Sequence, residues 1–157
     1  MSNDDSVAFA TTIHVRDTCL CLHAQRAARA LARHFDEVFR PLNLTNGQFS
    51  LMMSLNRPKP PTLSAVADLL AMDRTTLTAA LKALERRGLV AVAADRQDKR
   101  VRRLSLTPDG SRLLAEALPL WVKMHRALDE DIAPLSSDTL REGLMALSNW
   151  DPSKRDG

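Results

Sequence analysis

Nine basic side chains lie between Arg74 and Arg103, against three acids, Glu85, Asp95 and Asp98. This stretch carries +6 in a chain whose formal net charge is +3, so the remainder sums to −3. Guanidinium and ammonium groups at that density form a focused field that attracts phosphate. Arg74, Thr75, Thr76, Thr78 and Lys82 form one polar group within it. Hydroxyls bond base edges or phosphates, arginine forks onto guanine, and threonine methyls pack on thymine. Arg96, Lys99, Arg100, Arg102 and Arg103 form a second group between two apolar runs. Arg100 sits where a hairpin tip would enter a minor groove, whose negative potential attracts arginine, while its neighbours supply non-specific phosphate attraction. The partner these chemistries fit is double-stranded DNA.

The remaining reactive groups offer less. Cys19 and Cys21 stand two apart, which points them to different sides of a helix and makes a poor disulfide. They read either as small packed hydrophobes or as a thiol switch with Arg16 and His23 nearby. His14, His23, His34 and His125 show no metal-ligand spacing within a helix, so no metal site is expected. No Ser/His/Asp set or paired-carboxylate motif is present, and the five glycines form no phosphate cradle, so neither catalysis nor a cofactor is expected. A thiol peroxidase is the one enzyme reading, and its two thiols lie too close on one helix.

The elements that must hold these groups are mostly helical. Aromatics are 4% of the chain and tyrosine is absent, so leucine and alanine must fill the core. One long helix is expected from about His14 to Arg40, with Leu20, Ala24, Ala27, Leu31, Phe35 and Val38 inward and residues 1–12 loose. Thr45 and Gln48 make a capping box for a second helix, and Arg57-Pro58-Lys59-Pro60-Pro61 is a stiff connector. Thr62 caps a third helix, Ala71-Met72 turn the chain, and Asp73 caps a fourth that places Leu77, Leu81 and Leu84 inward and ends at Gly88. Leu89–Ala93 and Val101–Leu106 read as strands around a tip at 95–100. Thr107-Pro108 starts a long helix that Pro119 should kink or break and Pro134 stops, and Ser136 caps a last one ending near Trp150. The order is α-α-α-α-β-β-α-α. No apolar run reaches the roughly 18 residues of a membrane span and no signal pattern opens the chain, so a cytoplasmic protein is expected.

Residues 14–150 resemble the MarR family of winged-helix regulators. The resemblance rests on Leu84-Glu85-Arg86-Arg87-Gly88-Leu89-Val90, Asp98-Lys99-Arg100 and Leu104-Ser105-Leu106-Thr107-Pro108-Asp109-Gly110. It implies a mainly α winged-helix (α+β) fold, with a DNA-binding lobe at 45–107 and dimerisation helices at 13–40 and 108–150. It further implies a homodimer, a repressor on palindromic operators, and release by a small ligand or oxidant. Asp98 is then expected to pair with Arg100 or a neighbouring arginine and structure the wing. Family members that sense hydroperoxides hold their thiolate with tyrosines, which this chain lacks. Ala79 and Val92 stand where relatives often carry basic residues, so family contacts do not transfer there. Trp121 and Trp150 fall on the dimerisation helices, at an interface or lining a ligand pocket. A winged-helix module that binds protein is the rival reading, disfavoured by the basic tip and the polar helix face.

Overall fold

A computed structural model describes residues 6–155. The helix expected to start at His14 is two helices, α1 (Phe9–Thr18) and α2 (Leu20–Phe39). Residues 9–12, expected to be loose, are thus helical, while residues 1–5 lie outside the described residues. The break is local chemistry. Thr18 Oγ1 donates back to the His14 carbonyl at 2.7 Å, and Cys19 leaves helical geometry at φ −71°, ψ 106°. The Cys19 sulfur then accepts the Leu22 N–H at 3.4 Å, so the thiol caps a new helix instead of lying on the side of an old one. The element order gains one helix and becomes α-α-α-α-α-β-β-α-α.

The caps of the next three helices follow the sequence. Thr45 and Gln48 close both bonds of the capping box on α3 (Asn46–Leu55). Thr62 caps α4 (Leu63–Leu70) and Asp73 caps α5 (Arg74–Arg86). Both turns that follow are Schellman motifs. Ala71 takes φ +50° between α4 and α5, with Met72 N–H donating to the Ala67 carbonyl. Gly88 takes φ +70° after α5, with Leu89 N–H donating to the Leu84 carbonyl.

Strands β1 (Val90–Ala94) and β2 (Arg102–Leu106) each begin one residue later than expected and pair antiparallel, Val90 opposite Leu106 and Ala94 opposite Arg102. The proline connector adds a partial third rung, the Leu104 N–H donating to the Pro61 carbonyl at 3.0 Å. Thr107 caps α6 (Pro108–Asp131) and joins it to the strands, its hydroxyl donating to the Gly88 carbonyl. Gly110 is required here: a Cβ would lie 2.0 Å from the Leu89 carbonyl oxygen.

α6 runs unbroken through Pro119. The residue whose carbonyl loses its helical partner, Ala115, is exposed to water, as is Pro119, so no buried polar group is orphaned. Leu114 and Ala117 hold the opposite side in the core. α7 (Ser137–Ser148) follows, capped by Ser136.

The core lies where the C-terminal part of α2, α3, α4, α5, the ribbon and the first half of α6 meet, with Phe39, Leu51, Met52, Val66, Leu77, Leu84 and Leu104 fully buried. α2 contributes only Phe35 and Phe39, whereas Leu20 and Leu31, expected inward, are exposed. α1 and α7 bury no residue of their own, and Leu144, Met145 and Trp150 are more than half exposed.

Candidate nucleic-acid interface

The period of α5 decides which of its side chains are available. Leu77, Leu81 and Leu84 anchor it, and Arg74, Thr75, Thr76, Ala79, Lys82 and Arg86 are exposed while Thr78 is half-buried. Their polar groups are not equally free. Thr76 Oγ1 donates to Asp73 Oδ2 at 2.6 Å, and Thr78 Oγ1 donates to the Arg74 carbonyl at 2.7 Å. The hydroxyl and backbone N–H of Thr76 hold the Asp73 carboxyl below its usual range. Arg74 donates to Ser64 Oγ on α4 at 2.7 Å, which steadies the guanidinium beside the turn. Among the described residues the Thr75 hydroxyl and the Lys82 ammonium have no protein partner.

Strand alternation sorts the ribbon. Leu104 is fully buried, so Arg102, two residues earlier, shares its face beyond the edge of the core, while Arg103 and Ser105 point to the other side. Val92 pairs with Leu104 and packs on the core, so it is a core position and no phosphate contact is available there.

At the tip the roles expected of the acids are redistributed. Asp95, not Asp98, makes the carboxylate–arginine pair, accepting from Arg103 Nε at 2.7 Å. Its other oxygen accepts the Gln97 and Asp98 N–H groups at 2.8 and 3.1 Å. The Arg103 guanidinium, with those two N–H bonds, lowers the Asp95 pKa to about 2. Asp98 accepts the Arg100 backbone N–H at 2.9 Å, so it shapes the turn without touching an arginine side chain. Arg103 also donates to the Pro60 carbonyl, tying the ribbon to the connector; it is a structural cation rather than a free one. Arg96, Lys99, Arg100 and Arg102 are exposed and, among the described residues, have no carboxylate partner.

Two contributors escaped the sequence reading. Asp95 carried a readable signal, since an Asp two or three residues before free N–H groups makes an Asx-type turn. Ser64 carried none, because its contact with Arg74 spans the α4–α5 turn.

Away from this face, Phe49, Met53, Arg57, Leu69, Leu118 and Trp121 line an open, mostly apolar cleft of about 390 Å³. Trp121 packs tilted against His125 with ring centroids 3.8 Å apart and lies nearly parallel to Phe49 at 6.5 Å, so it belongs to this junction, whereas Trp150 does not. Cys19 is half-buried and Cys21 exposed. Arg16 is paired with Asp17 and His23 Nδ1 lies 2.8 Å from the Cys19 carbonyl, so neither ring nor guanidinium is committed to a sulfur. Among the described residues no three His, Cys, Asp or Glu side chains gather as a metal site, and no helix is long and apolar enough to cross a membrane.

Residues 44–101 match the MarR family. The chain is 34% identical to the M. tuberculosis transcriptional regulator MosR in complex with DNA, with a TM-score of 0.75, over 82% of this chain and 92% of that one. It is 28% identical to the transcriptional repressor CouR of Rhodococcus jostii RHA1 bound to a 23-mer DNA duplex, with a TM-score of 0.77, over 86% and 96% of the two chains. It is also 28% identical, over 75% of its length and 82% of the relative's, to the organic hydroperoxide resistance transcriptional regulator of Bacillus subtilis.

Proposed function

Because the chain belongs to the MarR family of DNA-binding transcriptional regulators, we propose that it is a cytoplasmic repressor. It binds a palindromic operator as a homodimer and leaves when a small ligand or an oxidant reaches it. The observation that carries the reading is the set of free cations at Arg96, Lys99, Arg100 and Arg102 beside the exposed polar face of α5. In this reading α5 of each lobe enters a major groove and each wing tip a flanking minor groove, the two lobes about one helical turn apart. The repressor sign follows CouR.

The dimer is supported by the terminal helices. α1 and α7 bury no residue of their own and leave Phe9, Val15, Leu144 and Met145 exposed, as is Trp150 just beyond α7. An apolar surface of that extent marks a protein interface, and a second copy supplies the matching surface. The cleft at Trp121 supports a small-molecule effector. It lies where α3 and α4 of the lobe meet α6, so a ligand there changes the lobe's angle to the helices that would pair the copies.

Light scattering should give a mass of two 17.4 kDa chains. Fluorescence anisotropy should show duplex binding that falls steeply with added salt. A monomer, or binding insensitive to salt, refutes the proposal.

Redox release is the second reading, favoured by the Cys19 sulfur at the α1–α2 break and by the likeness to a hydroperoxide-resistance regulator. Oxidation of that sulfur would change the cap of α2, which packs on α3 and α6. Unchanged DNA affinity after cumene hydroperoxide treatment sinks it. A protein-interaction module is disfavoured, because the α5 face offers no aromatic anchor.

A further inference from the structure

We propose that α5 reads thymine methyl groups, through a floor of small apolar groups at Thr75 and Ala79. The inference rests on the reading that α5 enters a major groove. Thr75, Ala79, Lys82 and Arg86 lie on the face opposite Leu77, Leu81 and Leu84, and all four are exposed while those leucines are at most 3% exposed. Lys82 and Arg86 are long and reach past the bases toward phosphates. Thr75 and Ala79, one turn apart near the leading end of the helix, are short. Nothing between them holds the backbone away from base edges.

The short polar side chains around this floor are committed within the protein, and one donor of Arg74 is held. The Thr76 and Thr78 hydroxyls have given their protons to Asp73 and to the Arg74 carbonyl, and Arg74 is engaged by Ser64. A hydroxyl that has donated inside its own helix can only accept, and the same bond fixes the rotamer and so the direction of the methyl. The face therefore presents methyls at Ala79 and Thr75 with one uncommitted hydroxyl, that of Thr75. In the major groove thymine alone offers a methyl. Two methyls in contact leave water together, whereas guanine or cytosine would place a polar edge against Ala79 with no partner there.

The test uses the full-length dimer and a duplex enriched from a random library by binding to it. Each thymine is replaced in turn by deoxyuridine, which removes the methyl and nothing else, and anisotropy is read at fixed salt. At one or two positions per half-site the affinity should drop by about fourfold, the worth of one methyl withdrawn from water. Ala79→Gly, confirmed as folded by circular dichroism, should lose the thymine–deoxyuridine difference at one of those positions, the one that Ala79 meets. Sequence-selective binding that is indifferent to deoxyuridine at every position overturns methyl reading and leaves DNA binding intact. Absence of any salt-sensitive duplex binding overturns both.

Discussion

The clearest consequence of the wing geometry is that two adjacent arginines on β2 should behave oppositely toward salt. Arg102 is exposed on the Leu104 face with no carboxylate partner among the described residues, whereas Arg103 is neutralised by Asp95. Four cations per wing that have no carboxylate partner among the described residues, Arg96, Lys99, Arg100 and Arg102, give a dimer eight, and each phosphate neutralised lowers the log–log salt slope by about 0.9, for a wing contribution near −7 on top of that from α5. Between 50 and 200 mM salt that contribution costs about twenty-thousandfold in affinity. Arg102→Gln removes two contacts per dimer and should bring the wing contribution to about −5, making the measured slope shallower by about 2 and the wing's share of the loss about two-thousandfold over the same range. The double variant Asp95→Asn/Arg103→Gln also removes a cation from β2, yet it removes the paired anion too and keeps a donor and an acceptor in place. Its slope should stay at that of the unaltered protein. Anisotropy titrations at four or more salt concentrations give all three slopes. The assignment fails if Arg102→Gln leaves the slope unchanged, or if the double variant lowers it as much as Arg102→Gln does.

Four further outcomes follow. Arg100→Ala should weaken operator binding by about 1–3 kcal/mol at fixed salt; an unchanged anisotropy curve refutes its place in the minor groove. Gly110→Ala puts a methyl 2.0 Å from the Leu89 carbonyl and should cost about 3 kcal/mol in thermal or urea unfolding, and a loss under about 1 kcal/mol contradicts the close approach. Ala71 at φ +50° carries about 1 kcal/mol of left-handed strain, so Ala71→Gly should gain roughly 0.5 kcal/mol after the added unfolded-state entropy, and a destabilised variant argues against it. Asp95 is held at about 2, below its unfolded value of about 3.9, so its contribution is complete above pH ~4 and is lost as pH falls through 2. Protection of the Gln97 and Asp98 amides from hydrogen exchange should persist at pH ~3, and loss between pH ~5 and 4 would refute the sign.

Caps and breakers made much of the lobe legible. Thr45 with Gln48, Thr62, Asp73, Gly88 and Thr107-Pro108 each act within a few residues of where they stand, so local sequence was sufficient to place α3 through α6. The density of positive charge between Arg74 and Arg103 likewise needed no coordinates, because clustered charge is a property of composition.

Other decisions required the chain to close on itself. Cys19 breaks α1 from α2 through a sulfur cap that no propensity announces, and Pro119 is tolerated because the residue it deprives, Ala115, faces water. Of five arginines and lysines around the wing, burial and pairing alone separate Arg103, fixed by Asp95 and Pro60, from the four that are free. Helical period could call α7 and the first half of α2 amphipathic, but not what covers them. Among the described residues Leu20, Leu144 and Trp150 stay more than half exposed. Sequence pattern thus supplied the elements and the positive field of the winged-helix region. Which groups in that field are free to act was settled by contacts between residues far apart in the chain, which no local pattern encodes.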